Sequence, residues 1–175
     1  MARPSSRPIW LYPLLISALV AFVVDQVTKW IVIRRMRLDI AGQIDALPPL
    51  VRFRYGENRG INFGLFNGYS EAMPWVLIGL SVVISIAVVL WVTRRHAKAI
   101  PMLVSAGFLV GGAMGNALDR VLYGYVLDFL NMSCCGFDNP YVFNIADVFI
   151  FAGAIGLALF EPRSGSRGRG RKKGA

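Results

Sequence analysis

Residues 75–92 read WVLIGLSVVISIAVVLWV, an apolar run without one charged side chain. Wound as a helix it is about 27 Å long, close to the ~30 Å hydrocarbon layer of a bilayer. Trp75 and Trp91 stand at its two ends, where a membrane interface collects aromatic rings. Three similar runs occupy 9–33, 101–118 and 142–160. The 175 residues are 55% hydrophobic and only 17% charged, the reverse of a disordered chain. Gathering of the apolar residues into long blocks also excludes an ordinary soluble core. The predicted class is an all-α integral membrane protein with four transmembrane helices and a small β-rich extracytoplasmic loop region. One membrane domain is expected over 1–162, followed by a basic tail at 163–175. Arg3 and Arg7 ahead of the first run would suit a signal peptide, but no small-residue cleavage site closes that run. It is therefore read as a retained span.

Nineteen Lys and Arg against ten Asp and Glu give a net charge of +9. Nucleic acid could explain such a balance, but the short flanks explain it better. Arg3 and Arg7, then Arg94, Arg95 and Lys98, then the tail all fall on one side if four helices cross in sequence. The positive-inside rule places that side, with both termini, in the cytoplasm. The tail is expected to be disordered against anionic lipid, which makes membrane phospholipid the expected partner and nucleic acid not. Arg34, Arg35, Arg37, Arg52, Arg54 and Arg59 of the outer loop 34–74 run against the rule, partly balanced by Asp39, Asp45, Glu57 and Glu71. Within that loop, Val51-Arg52-Phe53-Arg54-Tyr55 alternates apolar and basic residues, which predicts a strand in a small sheet or hairpin resting on the bundle or on lipid.

An ionisable residue in a span is costly and demands a partner or a task. The topology gathers Asp25, Asp119, Asp128 and Asp147 at the outer interface. Asp25 and Lys29 are i,i+4 and can pair. Asn116 and Arg120 share that spacing, and Asp119 beside Arg120 is expected to be charge-satisfied, a scaffold. Asp128 in Val126-Leu127-Asp128-Phe129-Leu130 and Asp147 in Ile145-Ala146-Asp147-Val148-Phe149 have apolar neighbours and no adjacent base. Apolar surroundings favour a protonated carboxyl, and two such groups that face each other would share one proton, the chemistry of an aspartic protease. The residues leave open whether the two meet. A proton-coupled transporter, with acids nearer the midplane, and a non-catalytic scaffold also remain open. His96 lies among Arg94, Arg95 and Lys98, far from the acids, which excludes a Ser-His-Asp triad. Ser17 and Lys29 are roughly 18 Å apart along one helix, too far for a Ser-Lys dyad. Cys134 and Cys135 are adjacent and read as packing or lipid-facing residues. One His and two Cys offer no metal ligand set, and no cofactor is expected. Gly111, Gly112 and Gly115 predict close helix packing.

Five motifs occur in order between about residue 25 and residue 150: Asp25-Gln26-Val27-Thr28-Lys29; Asn58-Arg59-Gly60-Ile61-Asn62-Phe63-Gly64; Gly112-Ala113-Met114-Gly115-Asn116-Ala117-Leu118-Asp119-Arg120; Val126-Leu127-Asp128-Phe129; and Phe143-Asn144-Ile145-Ala146-Asp147. Together they resemble lipoprotein signal peptidase (signal peptidase II), a bacterial membrane family. Ile61 and Asn62 stand where the family usually has two small residues, and the Cys134-Cys135 loop looks particular to this sequence. The resemblance implies that Asp128 and Asp147 are the catalytic pair. It gives Asp25, Lys29, Asn58, Gly60, Asn116, Asp119, Arg120, Asn144 and Ala146 supporting positions. It implies a prolipoprotein lipidated on Cys, cut immediately before that Cys, by an enzyme of the bacterial inner membrane with its active site near the outer face. A monomer is expected.

Overall fold

The computed structural model describes residues 11–60, 72–133 and 139–162. Residues 61–71, Cys134, Cys135 and the basic tail, each read above, lie outside these. Helix α1 (Leu11–Lys29) widens into a π-helix over Trp30–Arg35. A one-turn helix α2 (Leu38–Ala41) and strands β1 (Gln43–Leu47) and β2 (Val51–Asn58) follow. Helices α3 (Met73–Arg95) and α4 (Ile100–Tyr123), strand β3 (Val126–Met132) and helix α5 (Ile145–Phe160) are the remaining elements among the described residues. Both α3 and α4 carry a proline in their first turn, where the missing N–H has no helical partner to lose.

The first helix with its π extension (Leu11–Arg35), α3 and α4 are long and apolar enough to cross a membrane. Their outer faces carry exposed Leu15, Leu19 and Val23, and Trp75, Val83 and Ile86. So much uncovered apolar surface suits lipid and not water. The fourth predicted span is shorter than expected: α5 has 16 residues and begins at Ile145. Phe143 is diverted into the sheet, trading backbone hydrogen bonds with Leu130 at 2.8 and 2.9 Å. Asn144 then caps the helix with its side chain on the Asp147 N–H.

Helix α4 is the axle of the bundle, with α1 and α5 packed along it. Gly111 lets the backbone of Ala18 in α1 approach, and Gly112 does the same for the carbonyl of Ala146 in α5. The predicted glycine packing face is thus present. Leu14, Val92, Met102, Leu103, Ala106 and Leu157 fill the core at one end. At the other, the antiparallel sheet β1-β2-β3 lies across the π-helix, burying Val32, Ile33, Leu38, Leu127 and Phe129. The predicted strand is the body of β2. Both of its neighbours, β1 and β3, were not foreseen.

Candidate active site

Two polar clusters share the sheet-covered end of the bundle. The first centres on Lys29, the last residue of α1 and 3% exposed. Its Nζ lies 2.8 Å from Asp25 Oδ2 and 2.7 Å from Asp119 Oδ2. Gln26 Nε2 donates to Asp25 Oδ2 and to Asp119 Oδ1, both at 3.1 Å. The remaining capacity of these acids holds backbone: Ala146 N–H donates to Asp25 Oδ1 at 2.9 Å, and Leu127 N–H to Asp119 Oδ2 at 3.1 Å. One cation and two anions therefore stitch α1, α4, α5 and β3 together, with their donors and acceptors matched. A buried charge keeps its place only under such terms.

The expected Asp25–Lys29 pair is present, but the partner expected for Asp119 was wrong. Lys29, not Arg120, neutralises it. Neighbouring residues on a helix point about 100° apart, so Asp119 turns inward to α1 while Arg120 turns to the sheet side. There Arg120 Nη1 donates to the Asn116 carbonyl at 3.2 Å, and its charge acts on Asp147 and Asp128. Gln26, which bridges two acids, was not among the expected site residues. Its only sequence signal is its place between Asp25 and Lys29.

The second cluster has two carboxylates and no cation in hydrogen-bond contact among the described residues. Asp128 is on β3, 3% exposed, and Asp147 is in the first turn of α5. Asn144 Nδ2 donates to Asp128 Oδ1 at 2.6 Å, and Asn58 Nδ2 to Asp128 Oδ2 at 3.0 Å. Asn116 Nδ2 donates to Asp147 Oδ1 at 2.8 Å, and Asn144 N–H to Asp147 Oδ2 at 3.2 Å. Asn144 Nδ2 also reaches Asn116 Oδ1, at 3.1 Å, which closes a chain of amides between the two acids. Lys29 Nζ touches that chain at Asn116 Oδ1, 3.4 Å away. Asn58 is itself fixed by the Gly60 N–H on its Oδ1 at 3.0 Å. Gly60 has φ +99°, a conformation that favours glycine, and sits against the Leu77 side chain.

Burial first, then the nearby Asp147 charge, pushes the Asp128 carboxyl up to about 7; the amides of Asn58 and Asn144 oppose the shift. A carboxyl that titrates there can exchange a proton at neutral pH. Each of the eleven expected site residues thus lies in one of the two clusters or immediately beside them.

The family profile for signal peptidase (SPase) II matches residues 17–161. The chain belongs to the signal peptidase II family. It is 37% identical to the lipoprotein signal peptidase of Sphingopyxis alaskensis over 150 residues, 86% of this chain and 83% of that one. The lipoprotein signal peptidase of Methylobacterium sp. (strain 4-46) is 38% identical over 159 residues, 88% and 91% of the two chains. A bacterial membrane enzyme solved by the in meso method at 1.9 Å resolution superposes with a TM-score of 0.70 at 30% identity, over 85% of this chain and 92% of that one. Signal peptidase II family membership makes this chain a peptidase and a membrane protein, as its apolar helices require.

Proposed function

We propose that this signal peptidase II family member is an aspartic endopeptidase that removes the signal peptide from lipid-modified prolipoproteins, cutting immediately before the diacylglyceryl-Cys. The observation that carries the reading is the contrast of pairing. Among the described residues, Asp128 and Asp147 are hydrogen-bonded by three asparagines and by no cation, while Asp25 and Asp119 share Lys29.

One carboxylate of the pair, ionised, takes a proton from water as the water oxygen bonds to the scissile carbonyl carbon. The other, protonated, donates a hydrogen bond to the carbonyl oxygen as that oxygen gains charge. The tetrahedral oxyanion collapses with C–N cleavage, and the proton held by the first carboxyl passes to the leaving amine. Asn144 and Asn116 keep the carboxyls in register, and Arg120 stands ready for the substrate backbone.

Depth supports the substrate. Helix α5, with 16 residues, is about 24 Å long, shorter than the ~30 Å hydrocarbon layer. Asp147 in its first turn then lies just inside the membrane, roofed by the sheet. A diacylglyceryl chain would hold its Cys at that level, with the apolar signal segment in the bilayer. The accompanying topology is four spans in a bacterial inner membrane, both termini cytoplasmic and the site at the outer face, in a monomeric domain over 1–162 with the tail at 163–175 on lipid.

The test is incubation of purified protein with a diacylglyceryl-modified prolipoprotein, with and without chelator, and mass spectrometry of the product. A new N-terminus at the modified Cys in both arms is expected. An intact substrate, or a cut elsewhere, contradicts the reading.

A further inference from the structure

The arginines that run against the positive-inside rule have no part in peptide hydrolysis as described. Arg34, Arg35 and Arg37 are exposed at the sheet end of the bundle, opposite Arg94 and Arg95 at the end of α3. The π-helix sets their directions. Its wider turn carries both Val32 and Ile33 inward, 6% and 3% exposed, and leaves Arg34 and Arg35 outside.

Between this wide turn and the end of α4 lies a cavity of about 270 Å³. Arg34, Trp30 and Tyr123 form its exposed rim, and buried Lys29 and Asp119 its floor. On the floor Lys29 is already shared by Asp119 and Asp25, with Gln26 and the Leu127 N–H completing Asp119. Arg34 therefore brings an unspent positive charge: among the described residues it meets no acid. Arg35 stacks over Trp30 at 5.9 Å and steadies that ring. Val27 and Ile31, three residues before Trp30 and Arg34, and Leu122, beside Tyr123, are exposed and apolar.

Cation, aromatic rim and apolar wall follow one another in the order of a phospholipid's phosphate, glycerol and acyl chains. We propose that this cavity binds the headgroup of an anionic phospholipid. Its phosphate lies in the guanidinium fork of Arg34, its glycerol region between Trp30 and Tyr123, and its acyl chains along α1 and α4. A phosphodiester suits the planar fork of arginine. The apolar wall distinguishes a lipid from free phosphate. The site is separate from Asp128 and Asp147 and does not depend on the hydrolytic reading.

Full-length protein would be placed in bilayer discs of mixed phosphatidylglycerol and phosphatidylcholine, and retained lipid counted by native mass spectrometry after gentle release. Wild type should retain phosphatidylglycerol in preference to phosphatidylcholine. Arg34→Gln should weaken that retention roughly fivefold, the worth of one arginine at an anionic membrane surface. Arg54→Gln, an equal charge loss at an exposed position of β2, should leave it unchanged. Equal losses from Arg34→Gln and Arg54→Gln would overturn the site in favour of diffuse attraction. So would equal retention of the two lipids, or displacement of the lipid by excess inorganic phosphate, which would mark a site for a free anion. Melting temperatures of both variants near wild type would show that the fold is intact.

Discussion

Four acids lie at one end of this bundle, and they divide into two pairs by the partners they keep. Asp25 and Asp119 share a lysine and hold backbone N–H groups of α5 and β3. Among the described residues, Asp128 and Asp147 have only amides in hydrogen-bond contact. A carboxylate that shares a cation and holds backbone N–H groups serves as a rivet. One held by amides alone can take up and release a proton with little rearrangement. The two pairs are a few side chains apart, joined through Asn116, so one rigid network positions the other.

The largest expected effect breaks the comparison at the amide-held pair. Asp128→Asn and Asp147→Asn should each lower turnover by about 10²- to 10⁴-fold, read as cleavage of a lipidated substrate. On the other side, Lys29→Met leaves two buried carboxylates without a cation. It should cost about 3–5 kcal/mol of stability, seen as a lowered denaturation midpoint or a failure to accumulate.

A pH experiment sharpens the difference. The Asp128 carboxyl is raised from 3.8 to about 7 in the fold. Between those values the native state binds a proton that the unfolded state has released. Stability from this group is thus complete below about pH 4 and declines as pH rises toward 7, with a slope of up to ~1.4 kcal/mol per unit. Asp128→Asn should flatten that slope in melts followed from pH 4 to 8. The smallest effect is expected at Asn58, whose amide favours the ionised form of Asp128. Asn58→Ala should move the rise of Asp128 ionisation to higher pH, visible as a shifted limb of the pH–rate profile.

The sequence made the first three spans legible because long apolar runs have few alternatives. Strand β2 was legible because Arg52 and Arg54 alternate with Val51, Phe53 and Tyr55. Its neighbours were not. Val126-Leu127 and Phe129-Leu130 flank an acid in an apolar run that suits helix or strand equally, and only pairing with β2 decides it. The same pairing takes Phe143 from the start of the fourth apolar block. For the site, spacing found the Asp25–Lys29 pair, and apolar context marked Asp128 and Asp147. Adjacency misled at Asp119, because the partner that neutralises it arrives from another helix. The amide chain through Asn144 and Asn116 belongs to no local pattern; it exists only once α4, β3 and α5 meet.

The most direct measurement is the thermal unfolding of purified Asp128→Asn beside Asp25→Asn and wild type at pH 8, with turnover of each. Asp128→Asn should melt at or above wild type while turnover is lost, because an acid without a cation has been removed from an apolar site. Asp25→Asn should melt well below wild type. A fall in melting temperature for Asp128→Asn as large as that for Asp25→Asn would contradict the division of the four acids into rivets and reactants.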